Sequence, residues 1–413
     1  MTEYLLTPSP MNKLITLLLL IVALGCGAQP VRNKVLLVSF DGFRYDYLSK
    51  AETPNFDKLV AEGVKSDGLI PVFPTKTFPN HYAIATGLYP ENNKLIANSM
   101  YDPDLDLRYS ISQREQVENP VWYGGEPIWN TAEKNGVRAG TMFWVGSEAP
   151  VQKMRPTFWK TYDGSMDQQA RIDSVIQWMT LGTDKEIDLA TLYFSQVDSR
   201  GHRFGPGSPE LIGAVEEADS LVGYLLEQLT AKGLSEITNV IFVSDHGMAE
   251  VSRERIIVLD DYINPDQVEI IEGTPSLMMN VISGDVLDIY EQLKEAEEPM
   301  QVYTRTNLPD RFHLKKSRRV PDLIVIPDIG YTVNTSKYFD SRPSYPSGGT
   351  HGFDNEAKEM QGLFLVYGPD FKQALSIPPV ENIQIYELMA HLLGIPPAQN
   401  DGNLKVLEMI LSN

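Results

Sequence analysis

Short apolar runs alternate with segments whose apolar residues recur every three or four positions, along most of the chain. Lys34-Val35-Leu36-Leu37-Val38-Ser39-Phe40 reads as a strand. Pro54 opens a helix that runs to Glu62, with Thr53 as its N-cap. Pro79 stands where a first helical turn begins, which leaves Thr77 just before a helix N-terminus. Ile128–Asn135 reads as a helix ended by Gly136, and Arg138–Trp144 as a strand. A further strand over Asp188–Gln196 leads into Asp198 and His202. Ser208–Leu229 carries apolar residues at helical spacing and stops at Gly233. Val240–Ser244, Leu323–Pro327 and Leu363–Tyr367 are further strand candidates, and Ile383–Leu393 is a late helix.

Strands alternating with helices predict an α/β fold, with a central, mainly parallel sheet covered by helices on both faces. Asp41, Asp198, Asp245 and His246 fall at the carboxyl ends of predicted strands, where open α/β sheets place ligand sites. Residues 95–126 and 253–319 are richer in charge, Pro and Asn, and read as insertions in a single domain over 29–413. The basic run Lys315-Lys316-Ser317-Arg318-Arg319 reads as a solvated loop.

Residues 1–28 read as a signal peptide. Lys13 supplies positive charge, Leu14–Leu24 is an apolar run too short for a spanning helix, and Gly25-Cys26-Gly27-Ala28 supplies small residues. Cys26 is the single cysteine. The expectation is a lipoprotein signal cleaved before Cys26, ahead of plain secretion with cleavage after Ala28. It places the protein in the bacterial periplasm or cell envelope, as an outer-membrane lipoprotein.

The formal charge of −20 argues against a nucleic-acid polymer as partner, because phosphate-backbone binding needs clustered Lys and Arg. A small phosphate ester is still admitted, since bound cations reverse the local sign. Three of the six histidines stand in ligand-like settings: Asp198-Ser199-Arg200-Gly201-His202, Asp245-His246-Gly247 and Thr350-His351-Gly352. With Asp41, these carboxylates and imidazoles suffice for two divalent ions. Thr77 then reads as a hydroxyl that such ions activate. His81, His313 and His391 read as structural.

Three stretches together resemble the nucleotide pyrophosphatase/phosphodiesterase family of the alkaline phosphatase superfamily: Ser39-Phe40-Asp41-Gly42-Phe43-Arg44, Pro74-Thr75-Lys76-Thr77-Phe78-Pro79-Asn80-His81-Tyr82 and Asn98-Ser99-Met100-Tyr101-Asp102-Pro103. The resemblance continues through Trp122-Tyr123-Gly124-Gly125-Glu126-Pro127-Ile128-Trp129, Asp198 with His202, Ser244-Asp245-His246-Gly247-Met248 and Gly349-Thr350-His351-Gly352.

That resemblance implies an alkaline-phosphatase-like fold and two zinc ions. Asp41, Thr77, Asp245 and His246 would hold one ion, and Asp198, His202 and His351 the other. Thr77 would attack phosphorus to form a threonyl-phosphate, which is then hydrolysed. The Asn98 amide and the Phe78 backbone N–H would bind a non-bridging oxygen. Phe78 and Tyr162 would sandwich a nucleotide base, with Trp144 lining the same pocket. The implied activity is hydrolysis of nucleotide phosphodiester or pyrophosphate bonds, releasing nucleoside 5′-monophosphates. The alternatives are a phosphomonoesterase of the same superfamily and a non-catalytic surface binding protein. No protein partner is implied.

Overall fold

The computed structural model describes residues 33–412. The leader and Cys26 lie outside them. Eight strands form the central sheet: β1 (Lys34–Phe40), β2 (Val64–Ser66), β3 (Ala139–Met142), β4 (Phe158–Lys160), β5 (Leu189–Phe194), β6 (Thr238–Val243), β7 (Phe364–Tyr367) and β8 (Leu375–Ile377). Their order is β8-β2-β7-β6-β1-β5-β3-β4. All neighbours are parallel except β7, which is antiparallel to both β6 and β2.

The period of two in β1 divides its side chains between two cores. Leu36, Val38 and Phe40 pack on one face against helices α1 (Pro54–Glu62), α4 (Gln168–Met179) and α6 (Pro209–Ala231). Val35 and Leu37 pack on the other, against α2 (Thr77–Thr86), α3 (Ile128–Lys134) and α7 (Gln384–Leu392). A further helix, α5 (Gln196–Phe204), follows β5 directly. Phe40 pairs with Phe194 and Ser39 with Val243. Asp41, α5 and Asp245 therefore leave the sheet at one edge, the carboxyl end of its central strands.

Thr53 occupies the N-cap of α1, but its side chain caps nothing. Asp219 of α6 does that work: its carboxylate accepts the Phe56 N–H at 2.8 Å and the Asn55 N–H at 3.3 Å. A cap supplied from a helix far along the chain leaves no local sequence signal.

The first insertion carries a hairpin of Ser99–Asp102 and Leu107–Ser110. The second carries an antiparallel sheet in the order Val268–Glu272, Leu277–Val281, Leu323–Pro327, Met300–Thr304. Leu323–Pro327 thus belongs to the inserted sheet, which runs past residue 319. An apolar run of this length fits either sheet, and periodicity does not name its partner.

The basic run is not wholly solvated. Arg319 is buried, with its guanidinium 4.7 Å from the Trp122 ring centroid, and its Nε donates to Asp102 at 2.8 Å. Arg318 donates to the same carboxylate oxygen. A buried acid in the first insertion draws the arginines in, and the run itself contains no sign of that acid.

Candidate active site

Two groups of ligand-type side chains meet at the carboxyl edge of the sheet. One is Asp41, Asp245 and His246; the other is Asp198, His202 and His351. They adjoin through His246 and His351, whose rings stack with centroids 3.5 Å apart. Asp198 and His202 sit one turn apart on α5, so both side chains point the same way. Thr77, the first residue of α2, places Oγ1 3.3 Å from His246 Nε2.

Gly42 is what lets the strands converge. Its φ is +67°, and a Cβ there would lie 2.8 Å from the Asp198 Cα. Only glycine accepts both the conformation and the approach. Its N–H also donates to Asp245 Oδ1 at 3.2 Å.

The donor chemistry fits cations. Each of the three ligand-type histidines has Nδ1 against a backbone carbonyl: His246 on Gly247, His202 on Gly349 and His351 on Thr75, at 2.9, 3.0 and 2.7 Å. An Nδ1–H donor leaves Nε2 as the lone pair, and every Nε2 faces a carboxylate of the cluster. On the acid side, Asp41 Oδ1, Asp198 Oδ1 and Asp245 Oδ2 have no hydrogen-bond partner. Buried oxygens of this kind are costly unless a cation satisfies them.

The electrostatics agree. Burial, then the charges of Asp245 and Asp198, push the Asp41 carboxyl well above the usual range. Burial pushes Asp198 up too, against the pull of His202 and His246. For Asp245, His246 and His81 outweigh burial and hold the carboxyl well below its usual value. Burial, with His246 and His202 nearby, lowers His351 well below an ordinary imidazole. Carboxylates that raise one another's pKa call for positive charge between them.

Several residues beyond those expected support the cluster. Tyr193 donates its hydroxyl to Asp41 Oδ2 at 2.5 Å. His81, fully buried, has Nε2 2.8 Å from Ser39 Oγ and Nδ1 3.0 Å from the Thr77 carbonyl, so it steadies α2. The Thr75 hydroxyl bonds Phe353 O and accepts from Gly352 N–H, which locks the His351 loop to the Thr77 loop. Tyr193 carried a faint signal, since it lies near the carboxyl end of a strand leading into Asp198. The rest follow from tertiary contact alone.

Two expectations are corrected. Trp144 is 1% exposed, its Nε1 donates to the His81 carbonyl, and it belongs to the core behind α2. It lines no substrate pocket, because an apolar indole packs where its single N–H finds an acceptor. The Phe78 N–H is already engaged, donating to Asn98 Oδ1 at 3.0 Å. That bond fixes the orientation of the Asn98 amide, with Nδ2 as its free donor end.

Phe78 is half-buried, 6.2 Å from the Tyr109 ring. Tyr162 is 41% exposed and meets Tyr193 at 6.2 Å between centroids. Its loop is fastened by the buried Arg171, whose guanidinium donates to Gly164, Met166 and Tyr193 carbonyls.

Residues 35–354 match the type I phosphodiesterase/nucleotide pyrophosphatase family. Human ectonucleotide pyrophosphatase/phosphodiesterase family member 5 is 34% identical over 385 residues, covering 93% of this chain and 79% of that protein. The chain belongs to this family. A venom phosphodiesterase of Crotalus durissus collilineatus is 37% identical over 401 residues, 95% of this chain and 48% of the relative. The chain spans about half the length of the venom phosphodiesterases it matches.

The solved structure of murine ectonucleotide pyrophosphatase/phosphodiesterase 5, an inactive variant in complex with AMP, superposes with a TM-score of 0.87. It is 32% identical, covering 92% of this chain and 100% of that one. The likeness establishes the alkaline-phosphatase-like α/β fold for this family member.

These relatives overturn the placement in a bacterial envelope. They come from snakes, cattle and humans, and bear the names of venom and ectonucleotide enzymes rather than of bacterial lipoproteins.

Proposed function

We propose that this phosphodiesterase-family chain is a two-zinc hydrolase of nucleotide phosphodiester or pyrophosphate bonds that releases nucleoside 5′-monophosphates. The observation that carries this reading is the convergence of three free carboxylate oxygens and three imidazole Nε2 atoms beside the Thr77 hydroxyl. Asp41, Asp245 and His246, with Thr77, would hold one ion; Asp198, His202 and His351 would hold the other. Mixed imidazole and carboxylate donors suit zinc. Bound there, such ions lower the pKa of a hydroxyl and neutralise charge on phosphate oxygens.

Thr77 Oγ1 is the nucleophile. Its bond to phosphorus forms as the bond to the leaving oxygen breaks, and water later hydrolyses the threonyl-phosphate and restores the hydroxyl. Asn98 Nδ2 donates to a non-bridging oxygen as charge builds there. Phe78 stands next to the nucleophile and offers a face to a base, and the exposed ring of Tyr162 offers a second. The AMP complex of the murine relative is consistent with a nucleotide in this pocket.

The test compares p-nitrophenyl thymidine 5′-monophosphate with p-nitrophenyl phosphate, using zinc-loaded protein, a chelated sample and Thr77→Ala. Diester cleavage should dominate, and both the chelated protein and the variant should be inactive. Faster cleavage of the monoester would favour a phosphomonoesterase and sink the proposal. Wild-type activity in Thr77→Ala would remove the nucleophile.

A further inference from the structure

The inserted sheet reaches toward the reaction centre through Glu272, among other contacts. Glu272 ends the strand Val268–Glu272, and its Oε2 accepts the Ser99 N–H at 2.5 Å. Its Oε1 lies 3.9 Å from Lys76 Nζ, and both side chains are about nine-tenths buried. The register of its strand shifts between Ile270 and Glu272. Irregularities of this kind re-aim a side chain, and this one sends a carboxylate inward.

Both ends of this contact touch the proposed machinery. Ser99 follows Asn98, whose own carbonyl accepts the Ile111 N–H and whose Oδ1 accepts the Phe78 N–H. Lys76 precedes Thr77, and its ammonium donates to the Thr274 carbonyl at 2.9 Å. The lysine stem crosses Gly352, where a Cβ would lie 2.5 Å from Lys76 Cε. The loop bearing the amide donor is thus fastened to Glu272, and the lysine before the nucleophile lies beside the same acid.

We propose that Glu272 is a positioning residue for the reaction: it acts through Asn98, holding the amide at the reach that Thr77 and its substrate require. A buried charge pair is a poor device for stability alone, since apolar residues of the same volume commonly do as well. A carboxylate that accepts the Ser99 N–H on one side and faces a buried ammonium 3.9 Å away on the other is, by contrast, held in orientation. Burial pushes its pKa up, against the pull of Lys76 and of the backbone N–H groups of Ser99, Gly273 and Asn98.

The inference rests on the roles proposed for Thr77 and Asn98. Its test is a double-mutant cycle on the zinc-loaded full chain, with p-nitrophenyl thymidine 5′-monophosphate as substrate. Asn98→Ala should lower kcat by about 10²-fold, as loss of an oxyanion donor does. Glu272→Ala should lower kcat roughly tenfold or more with KM within about twofold, because the interaction is felt in the transition state. Glu272→Gln keeps an acceptor of the same shape and should fall between; it carries the test should the alanine variant not fold. In the Asn98→Ala background either Glu272 change should cost less than about twofold, since coupled residues are not additive.

Full additivity, an effect confined to KM, or wild-type kinetics in Glu272→Gln and Glu272→Ala would overturn the positioning role. Wild-type activity in Thr77→Ala would instead strike the functional reading beneath it.

Discussion

The Tyr193 hydroxyl donates to Asp41 Oδ2 at 2.5 Å and leaves Oδ1 as the carboxylate's free oxygen. Burial and the adjacent Asp41 charge raise the phenol well above its ordinary pKa, so it stays a donor throughout the neutral range. Tyr193→Phe keeps the ring and removes the bond. Zinc affinity should fall by about 10- to 100-fold, the usual cost of losing a partner that orients a metal ligand. Competition against a chelator measures it, and unchanged affinity would end the assignment.

Phe78 and Trp144, two of the three aromatics assigned to one pocket from sequence, should part company. Phe78→Ala should weaken cleavage of nucleotide diesters far more than that of a small methyl diester, by roughly tenfold or more for a lost stacking partner. Trp144→Phe, deep in the core, should leave that ratio alone and lower stability by about 1–3 kcal/mol. Equal losses on both substrates in Phe78→Ala would remove base stacking as the cause.

Capping of α1 offers a contrast between neighbours in space and in sequence. Asp219→Ala should cost about 1–3 kcal/mol in urea unfolding, since two helix-end N–H groups lose a buried acceptor. Thr53→Ala should cost less than about 0.5 kcal/mol, because the Thr53 hydroxyl caps nothing. A larger loss for Thr53 would mean that the local cap operates after all.

The Asp102 cluster makes a pH prediction. Although burial raises its carboxyl, hydrogen bonds from Arg318 and Arg319 outweigh burial and hold the pKa below its usual value. A depressed folded-state pKa contributes stability above the unfolded value, about 3.9, and loses it as pH falls through the folded one. Asp102→Asn should therefore be less stable at pH 7, and the gap should narrow as pH falls below about 4 and through the lower folded-state pKa. A gap independent of pH would exclude the ion pairs as its origin.

The strands that precede Asp41, Asp198 and Asp245 were legible because buried strands write continuous apolar runs, and their polar successors stand out against them. The i, i+4 spacing of Asp198 and His202 told of one helix face in the same way. What stayed hidden depends on contacts between distant segments. Asp219 caps a helix whose own N-cap residue looked sufficient. Arg319 is drawn inward by Asp102 through a surface-like stretch of charge. Glu272 turns inward only because its strand slips register. Trp144 was misread in the other direction, because an aromatic near a site in sequence need not face it in space.

The place of β7 between β6 and β2 has a consequence for how the chain comes to life. Val64–Ser66 has no neighbour in the sheet until Phe364–Tyr367 and Leu375–Ile377 have been synthesised. Asp41 likewise waits for His351 before the paired ligand groups are complete. Such distant pairings are slow to form, so a nascent or truncated chain ending before these segments should expose an unfinished sheet edge. Competence to retain metal should then arrive late and all at once, as the last strands close.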